Sequence, residues 1–324
     1  MAVDIDAVLD RRQLRSKLSF WRITGIVALA VAIIGIMGGM GLFGNLGKTG
    51  DHIARVAING MITEDRQLIK MLDQIAQDNS VKGVLLSVDS PGGTTVGGEA
   101  IFEAVRRVAE QKPVVSSVGT LAASAGYMIA TGADHIVARR SSIVGSIGVI
   151  FQYPQATGLL DKIGVQVKSI KSSPLKAEPS PFNPTPPEAE EAIRTLIDDS
   201  YQWFVDLVTD RRPLERDEVL KLADGSVYSG DRGLKTKLVD ALGGELVAKK
   251  WLVEEKNLDA NLKVLDWKPV RPRQGLFGNT ALAQWLLGDK ATPLTVDPKA
   301  LGDAVPGLVP KRLFLDGLLS IWQQ

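Results

Sequence analysis

Residues 81–98 read VKGVLLSVDSPGGTTVGG, a nearly continuous apolar run that passes directly into a glycine-rich turn. The apolar part, 81–88, is typical of a strand that is buried on both faces of a parallel sheet. A second strand is predicted at 113–119, PVVSSVG. Between the strands, apolar residues follow the i, i+3, i+4, i+7 spacing of a helix face: Ile101, Ala104, Val105 and Val108. This alternation predicts an α/β domain in which helices cover a sheet with parallel strands.

A lone serine follows the second predicted strand. Ser124 lies in TLAASAGYMIA, residues 120–130, at the start of an apolar, helix-like segment. Neighbouring parallel strands of a right-handed βαβ unit end at the same edge of the sheet. We therefore expect the SPGG turn, residues 90–93, to lie beside the segment 119–124 that contains this serine.

Two backbone N–H groups at this edge form a candidate oxyanion hole. Gly93 in the turn has no side chain to shield its N–H. Ala125 follows Ser124 at a predicted helix N-terminus, where unpaired N–H groups and the helix dipole favour negative charge. Such donors suit the charge that develops during acyl transfer to a serine. The alternative interpretation is a tight turn and a small residue that let a helix pack closely on the sheet.

A serine nucleophile needs a base, and the chain has no cysteine and only two histidines. His135 begins a predicted strand and is interpreted as structural or surface-exposed, and His52 as a solvated residue close to a predicted membrane span. Asp89 is expected to cap the turn. A lysine can serve if burial lowers the pKa of its amine towards neutrality. Lys171 and Lys176 are the candidates, and their spacing does not choose between them; the alternative is that both are solvated loop residues.

Composition bounds the function classes. The 324 residues are 45% hydrophobic, which is enough for a sizeable core. The 38 basic and 37 acidic side chains leave a net charge of +1, which does not support nucleic-acid binding, because that usually requires a basic stripe. The lack of cysteine excludes disulfides and thiolate chemistry, and fits an oxidising compartment.

The N-terminal region predicts a membrane anchor. Residues 23–44 carry no charged side chain, and a span of this length can cross the hydrocarbon core. A cleaved signal peptide is the rival interpretation, but the apolar part of such a peptide is usually only about 7–15 residues long. The positive-inside rule places residues 1–22 in the cytoplasm and the rest of the chain outside it. Five basic residues precede the span: Arg11, Arg12, Arg15, Lys17 and Arg22.

Five motifs, in order, carry a resemblance to a known family. They are DSPGG, LAASAGYMIA, SIVGSIGVIFQ, IKSSPLKAEPSPF and GLKTKLVDALGG, between about residues 50 and 255. Together they resemble the bacterial signal peptide peptidase SppA family. The resemblance implies a membrane-anchored serine protease of the Clp-protease/crotonase-like fold, built of repeated ββα and βαβ units, with a Ser–Lys dyad and no cofactor or metal. It places the catalytic domain outside the inner membrane of a bacterium.

The resemblance also implies roles for individual residues. Ser124 matches the nucleophile, Lys176 the general base, Gly93 the oxyanion glycine and Ser146 a serine that orients the lysine. The chain departs from the family pattern twice, with SAG where many members have SGG and KAEP where many have Lys-Asp. The first change keeps a small residue and its N–H, whereas the second alters the acidic neighbour of the lysine.

The resulting hypothesis is an endopeptidase that hydrolyses apolar peptides, such as signal-peptide remnants in the membrane. The alternatives are a crotonase-type acyl-thioester enzyme and a non-catalytic membrane scaffold, since a fold does not dictate a function. Longer relatives carry two tandem halves that share the dyad, so a homo-oligomer with a dyad shared between protomers is expected. No nucleic-acid partner is expected.

The predicted organisation is a cytoplasmic segment (1–22), an anchor (23–44), a peptidase domain (50–270) and a C-terminal extension (271–324) with no assigned role. Within the extension, four apolar residues have the spacing of an amphipathic last helix: Leu315, Leu318, Leu319 and Trp322.

Overall fold

The computed structural model of the chain describes residues 21–30, 50–270 and 319–321. The described strands are β1 (His52–Asn59), β2 (Val81–Ser90), β3 (Gly92–Thr94), β4 (Val114–Ala123), β5 (His135–Ala138), β6 (Ile143–Gly145), β7 (Val227–Ser229), β8 (Ala241–Leu242), β9 (Lys263–Trp267) and β10 (Leu319–Ile321). The described helices are α1 (21–30), α2 (Arg66–Gln77), α3 (Thr95–Ala109), α4 (Ala125–Thr131), α5 (Thr157–Lys162), α6 (Pro187–Arg211), α7 (Arg216–Leu222), α8 (Gly230–Lys235) and α9 (Glu245–Glu254).

Two compact units divide the chain. Residues 50–269 and the strand β10 belong to one unit, and the helical residues 21–30 belong to the other. Of the predicted anchor, 23–44, the part from 31 onwards lies outside the described residues. Among the residues that are described, no helix is both long enough and apolar enough to cross a bilayer.

The central sheet has parallel strands at its middle, in the order β9-β1-β2-β4. Beyond β4 the sheet divides. The first half of β4 pairs with β5, and its last three residues, Leu121–Ala123, pair with β6. The only antiparallel strand described in this sheet is β7, which pairs with β6. The predicted α/β sheet with parallel strands is therefore confirmed. Ser124 directly follows the part of β4 that pairs with β6.

The strand β2 is buried on both faces, as its continuous apolar sequence predicts. Alternate residues point to opposite sides of a strand. Leu86 and its neighbours on one face join the large core with α2, α3 and α4. Leu85 faces the other way and packs with Val115 and with Leu252 of α9. Burial on both faces holds the central strands rigidly, so the turns at their ends have defined positions.

The prediction that His52 is solvated is wrong. This residue begins β1 and is 1% exposed. Its Nε2 accepts a hydrogen bond of 3.1 Å from the indole Nε1 of Trp267, a residue of the neighbouring strand β9. The pairing of β1 with β9 joins residues from opposite ends of the domain, and no local sequence pattern reveals that contact.

Of the four residues of the predicted C-terminal helix, only Leu319 lies among the described residues, and there the prediction is wrong. Leu319–Ile321 form the strand β10, which pairs antiparallel with β3. The edge of β3 offers unpaired backbone groups, and pairing with that edge overrides the local helical spacing.

Candidate active site

Ser124 occupies a strained position between a strand and a helix. It follows β4 directly and precedes α4, with φ 56° and ψ −122°, and it is 1% exposed. A positive φ is costly for a residue with a side chain and persists only where the surrounding structure imposes it. Here the Ser124 amide donates to the Gly145 carbonyl at 2.8 Å, and the Ser124 carbonyl accepts from the Met128 amide at 2.9 Å. Such imposed strain is typical of a functional residue.

The SPGG turn and the start of α4 lie at the same edge of the sheet. Strands β2 and β4 are parallel, and Ser90 pairs in register with Ala122. The helix then approaches the turn so closely that a Cβ on Gly126 would lie 2.8 Å from the Ser90 carbonyl oxygen. The glycine of SAG, Gly126, is therefore needed for this approach. The sequence prediction that the two segments meet agrees with the structure.

Gly93 allows no side chain. A Cβ at this position would lie 1.9 Å from the carbonyl oxygen of Ile62. The Ile62 carbonyl instead accepts from the Thr94 amide at 2.9 Å. Because successive N–H groups of a strand point to opposite sides, the Gly93 N–H faces the other edge of β3. Ala125 is the first residue of α4, where an N–H has no partner within the helix. Both candidate oxyanion donors are thus placed at one edge.

An extended segment lies along that edge. Strand β10 pairs antiparallel with β3, with Ser320 opposite Gly93. The edge that carries the candidate oxyanion glycine therefore accepts an extended backbone, as in proteins that bind peptides by strand addition.

Ser146 lies at the same level of the sheet as Ser124. Ser124 follows Ala123 of β4, and Ser146 follows Gly145 of β6. Ala123 and Gly145 are register partners in the sheet. Ser146 is also buried and has a positive φ of 52°, and its amide donates to the Ser226 carbonyl at 2.8 Å. The structure therefore brings together Ser124, Ser146 and the two candidate oxyanion donors.

Lys176 is not brought to this group within one chain. It lies in the turn 174–177 and is exposed, and its side chain makes no ion pair or hydrogen bond with the described residues. The burial that a lysine base requires is therefore not supplied within one chain. The physical reason is that residues 171–179 form no helix or strand and so pack no core around the amine.

Lys171 is already committed to a partner. Its ammonium group forms an ion pair with Glu178, and the second oxygen of that carboxylate accepts from the Ser180 amide at 2.8 Å. The hydrogen bond from Lys171 lowers the pKa of Glu178 below its ordinary value. The Glu of KAEP thus binds the other lysine candidate, which leaves Lys176 as the one with a free amine.

His135 has a structural role in the fold. His135 begins β5 and stacks on Trp251 with ring centroids 4.7 Å apart, and burial lowers its pKa. Of the two roles that the sequence indicates, structural or surface-exposed, the structure favours the structural one. Within residues 21–30, 50–270 and 319–321, no group of three or more His, Asp or Glu side chains is arranged to hold a metal ion.

Two residues of the DSPGG motif shape the site through partners that the sequence does not reveal. Ser90 Oγ donates to the Gly60 carbonyl at 2.7 Å and accepts from the Gly92 amide at 3.1 Å, which holds the turn. Asp89 was expected to cap that turn. Its Oδ1 instead accepts from the amides of Thr120 and Leu121, both at 3.1 Å, and so ties the end of β2 to β4. The DSPGG motif contains both residues, but their partners are visible only in the fold.

Comparisons with known proteins point to a family of proteases. Residues 106–259 match the model of Peptidase family S49. The chain is 41% identical over 215 residues to a protein of Methanocaldococcus jannaschii named a "putative protease", covering 66% of this chain and 68% of that protein. It is 31% identical over 236 residues to the "putative signal peptide peptidase SppA" of Enterococcus faecium, covering 68% of each. It is 36% identical over 177 residues to Protease 4 of Haemophilus influenzae, covering 54% of this chain and 29% of that protein.

Proposed function

Because the chain belongs to the SppA family of S49 peptidases, and so to a family of proteases, we propose that it is a serine endopeptidase whose nucleophile is Ser124. The observation that carries the proposal is the strained backbone conformation of Ser124 at the buried start of α4. It lies beside an edge where Gly93 leaves no room for a side chain. Strain in the backbone and donors at one edge are what an acyl-transfer site requires.

The proposed reaction uses Lys176 as the base. The neutral amine takes the proton of the Ser124 hydroxyl, and the resulting alkoxide attacks the peptide carbonyl. The N–H groups of Gly93 and Ala125 stabilise the negative charge on the carbonyl oxygen. The lysine returns its proton to the leaving amine, and a water molecule, deprotonated in the same way, hydrolyses the acyl-enzyme. Ser146 accepts a hydrogen bond from the lysine amine and so orients it.

The proposed substrates are extended, apolar peptides, including signal-peptide remnants. Support comes from the edge of β3, which holds β10 as an antiparallel strand. A substrate bound in the same manner presents a carbonyl beside Gly93 through main-chain hydrogen bonds. The uncharged segment 23–44 supports a membrane-anchored enzyme, and the basic residues before it support a catalytic domain outside the cytoplasm. An enzyme held at the membrane is close to signal-peptide remnants that stay in the bilayer.

The proposed assembly is a homo-oligomer in which each active site uses two protomers. Lys176 is exposed in one chain, so burial of its amine requires a surface that the chain itself does not place there. A neighbouring protomer can supply that surface together with Ser124. A head-to-tail contact of this kind closes into a ring when the rotation between protomers permits it.

Covalent labelling tests the proposed nucleophile. The detergent-solubilised chain is treated with a serine-reactive fluorophosphonate probe and analysed by peptide mapping. We expect a single label on Ser124, lost in Ser124→Ala and kept in the control Ser200→Ala, whose hydroxyl only caps a carbonyl within α6. Labelling that persists in Ser124→Ala contradicts the proposal.

A further inference from the structure

A cavity of about 400 Å³ lies between the central sheet and the start of α9. It is on the face of the sheet that carries Leu85 and Val115, and none of the candidate catalytic residues lines it. Its volume is in the range of small-ligand sites, about 300–1,000 Å³. Its polar lining includes Ser87, Ser117, Arg139 and Glu245.

Arg139 supplies a cation without a partner. Its guanidinium group lies against Gly244, where a Cβ would be 3.2 Å from Nη2. The residue is exposed, and its side chain forms no ion pair or hydrogen bond with the described part of the chain. A planar guanidinium presents paired donors that match a carboxylate or a phosphate.

The N-terminus of α9 adds partial positive charge at the cavity. The cap residue, Gly244, has no side chain to bind the first amides, and its carbonyl accepts from Val247 and Ala248. The N–H groups of Glu245 and Leu246, in the first turn, therefore have no helical partner. A helix N-terminus carries a partial positive charge and binds anions, and the arginine beside it adds donors of the same kind.

The acidic residue in this turn does not supply that anion. The Glu245 carboxylate accepts three hydrogen bonds from Arg55, at 2.9, 3.0 and 2.7 Å, and one from Ser87 at 2.9 Å. Hydrogen bonding to Arg55 lowers the pKa of Glu245, so the group is ionised but already paired. Asp266 is paired with the same arginine at 3.1 Å. Neither carboxylate pairs with Arg139, so its guanidinium donors are available to a ligand.

Ser117 is a second, independent indication of a ligand. The residue is 3% exposed and lines the cavity, and its hydroxyl has no hydrogen-bond partner among the described residues. Buried hydroxyls are nearly always hydrogen-bonded, and this one opens into the cavity, so water or a ligand bound there completes its hydrogen bonding.

We propose that this cavity binds the C-terminal carboxylate of a peptide. Arg139 and the first N–H groups of α9 bind the carboxylate oxygens, and Ser117 donates to one of them. The aliphatic wall contacts the last side chain of the peptide and consists of Val118, Val247 and Leu246, which is 87% exposed. The choice of a peptide rests on the proposed peptidase function; the anion chemistry rests on the cavity alone.

Equilibrium dialysis tests the site without catalysis. The full chain carrying Ser124→Ala is dialysed against radiolabelled N-acetyl-Ala-Leu and, separately, against its C-terminal amide. We expect the free acid to bind at least tenfold more tightly than the amide. Arg139→Gln should weaken binding of the acid at least tenfold and leave the amide unchanged. The matched control Arg140→Gln removes a neighbouring surface arginine that pairs with Asp231, and should change neither affinity.

Three outcomes overturn the proposal: equal affinity for acid and amide, no effect of Arg139→Gln, or no binding of the acid at millimolar concentration. Inorganic phosphate is the competing anion. If it binds through Arg139 and the acid does not displace it, the site belongs to phosphate instead. Because binding is measured in a Ser124→Ala chain, a failure of this site leaves the peptidase proposal standing. Equally, loss of the peptidase proposal leaves Arg139-dependent binding intact.

Discussion

The Ser124 amide donates a hydrogen bond of 2.8 Å to the carbonyl of Gly145. This bond joins the end of β4 to the end of β6, and Ser146 is the residue that follows Gly145. Gly145 has φ 97°, and a Cβ there would lie 2.9 Å from the Tyr228 ring. One close contact between two strand ends thus imposes the backbone of the candidate nucleophile and of its polar neighbour.

Loss of either proposed dyad member should abolish proteolysis. Ser124→Ala and Lys176→Ala each remove the same chemical step, so each should lower kcat/KM for an apolar fluorogenic peptide on the order of 10³-fold or more. Lys171→Ala breaks only the pair with Glu178 and should retain most of the activity. Normal turnover in Lys176→Ala with full loss in Lys171→Ala would show that the base is misassigned.

Two inactive variants should restore each other if the dyad is shared. Ser124→Ala and Lys176→Ala chains are co-expressed with different tags, and mixed oligomers are purified through both tags. Some interfaces then pair an intact serine with an intact lysine, so partial peptidase activity should return. A dyad within one chain predicts no recovery from confirmed mixed oligomers, which is the contrary result.

Gly93→Ala should inactivate the enzyme. The added Cβ would lie 1.9 Å from the Ile62 carbonyl oxygen, so β3 has to shift and its N–H leaves the site. Removing one oxyanion donor lowers kcat by about 10²–10³-fold. Gly158→Ala in α5 is the matched control, because a Cβ there meets nothing within 4 Å. Equal activity of the two variants would remove Gly93 from the proposed oxyanion hole.

A chain that ends at residue 318 should bind peptide substrates more tightly. Strand β10 pairs with Gly92–Thr94, the same edge that the substrate is proposed to use. Removing a competing strand frees main-chain groups for the substrate, so KM should fall while kcat stays the same. Steady-state kinetics of the shortened and full chains measure both values, and an unchanged or higher KM argues against a common edge.

Mild acid should destabilise the domain partly through His135. Burial lowers the pKa of His135 below its ordinary value of 6.5. As the pH falls through the ordinary value, the unfolded chain binds a proton that the folded chain resists, so the free energy of unfolding decreases. Thermal unfolding between about pH 7.5 and pH 5.5 should show a smaller loss in His135→Gln than in the native chain. An equal loss in both would mean that His135 does not contribute.

Local patterns were sufficient for much of the fold and for part of the candidate site. The apolar run at 81–88, the helix after it and the next strand were predicted because each is determined by residues close together in the chain. The meeting of the SPGG turn with the Ser124 segment followed from the handedness of βαβ units. The predicted capping of the SPGG turn by Asp89 is wrong, because the partners of its carboxylate are amides of the strand β4.

The sequence by itself determined the α/β alternation, the family and the edge of the sheet at which Ser124 lies, because these depend on spacing and on the order of motifs. Only the tertiary structure decided which groups are buried and paired. His52 is buried by Trp267, a residue 215 positions away, and Lys176 is exposed because its loop packs against no core. Arg139 faces the start of α9 only because the sheet and that helix meet there. Burial and electrostatic pairing depend on distant residues brought into contact, and spacing along the chain carries no record of those contacts.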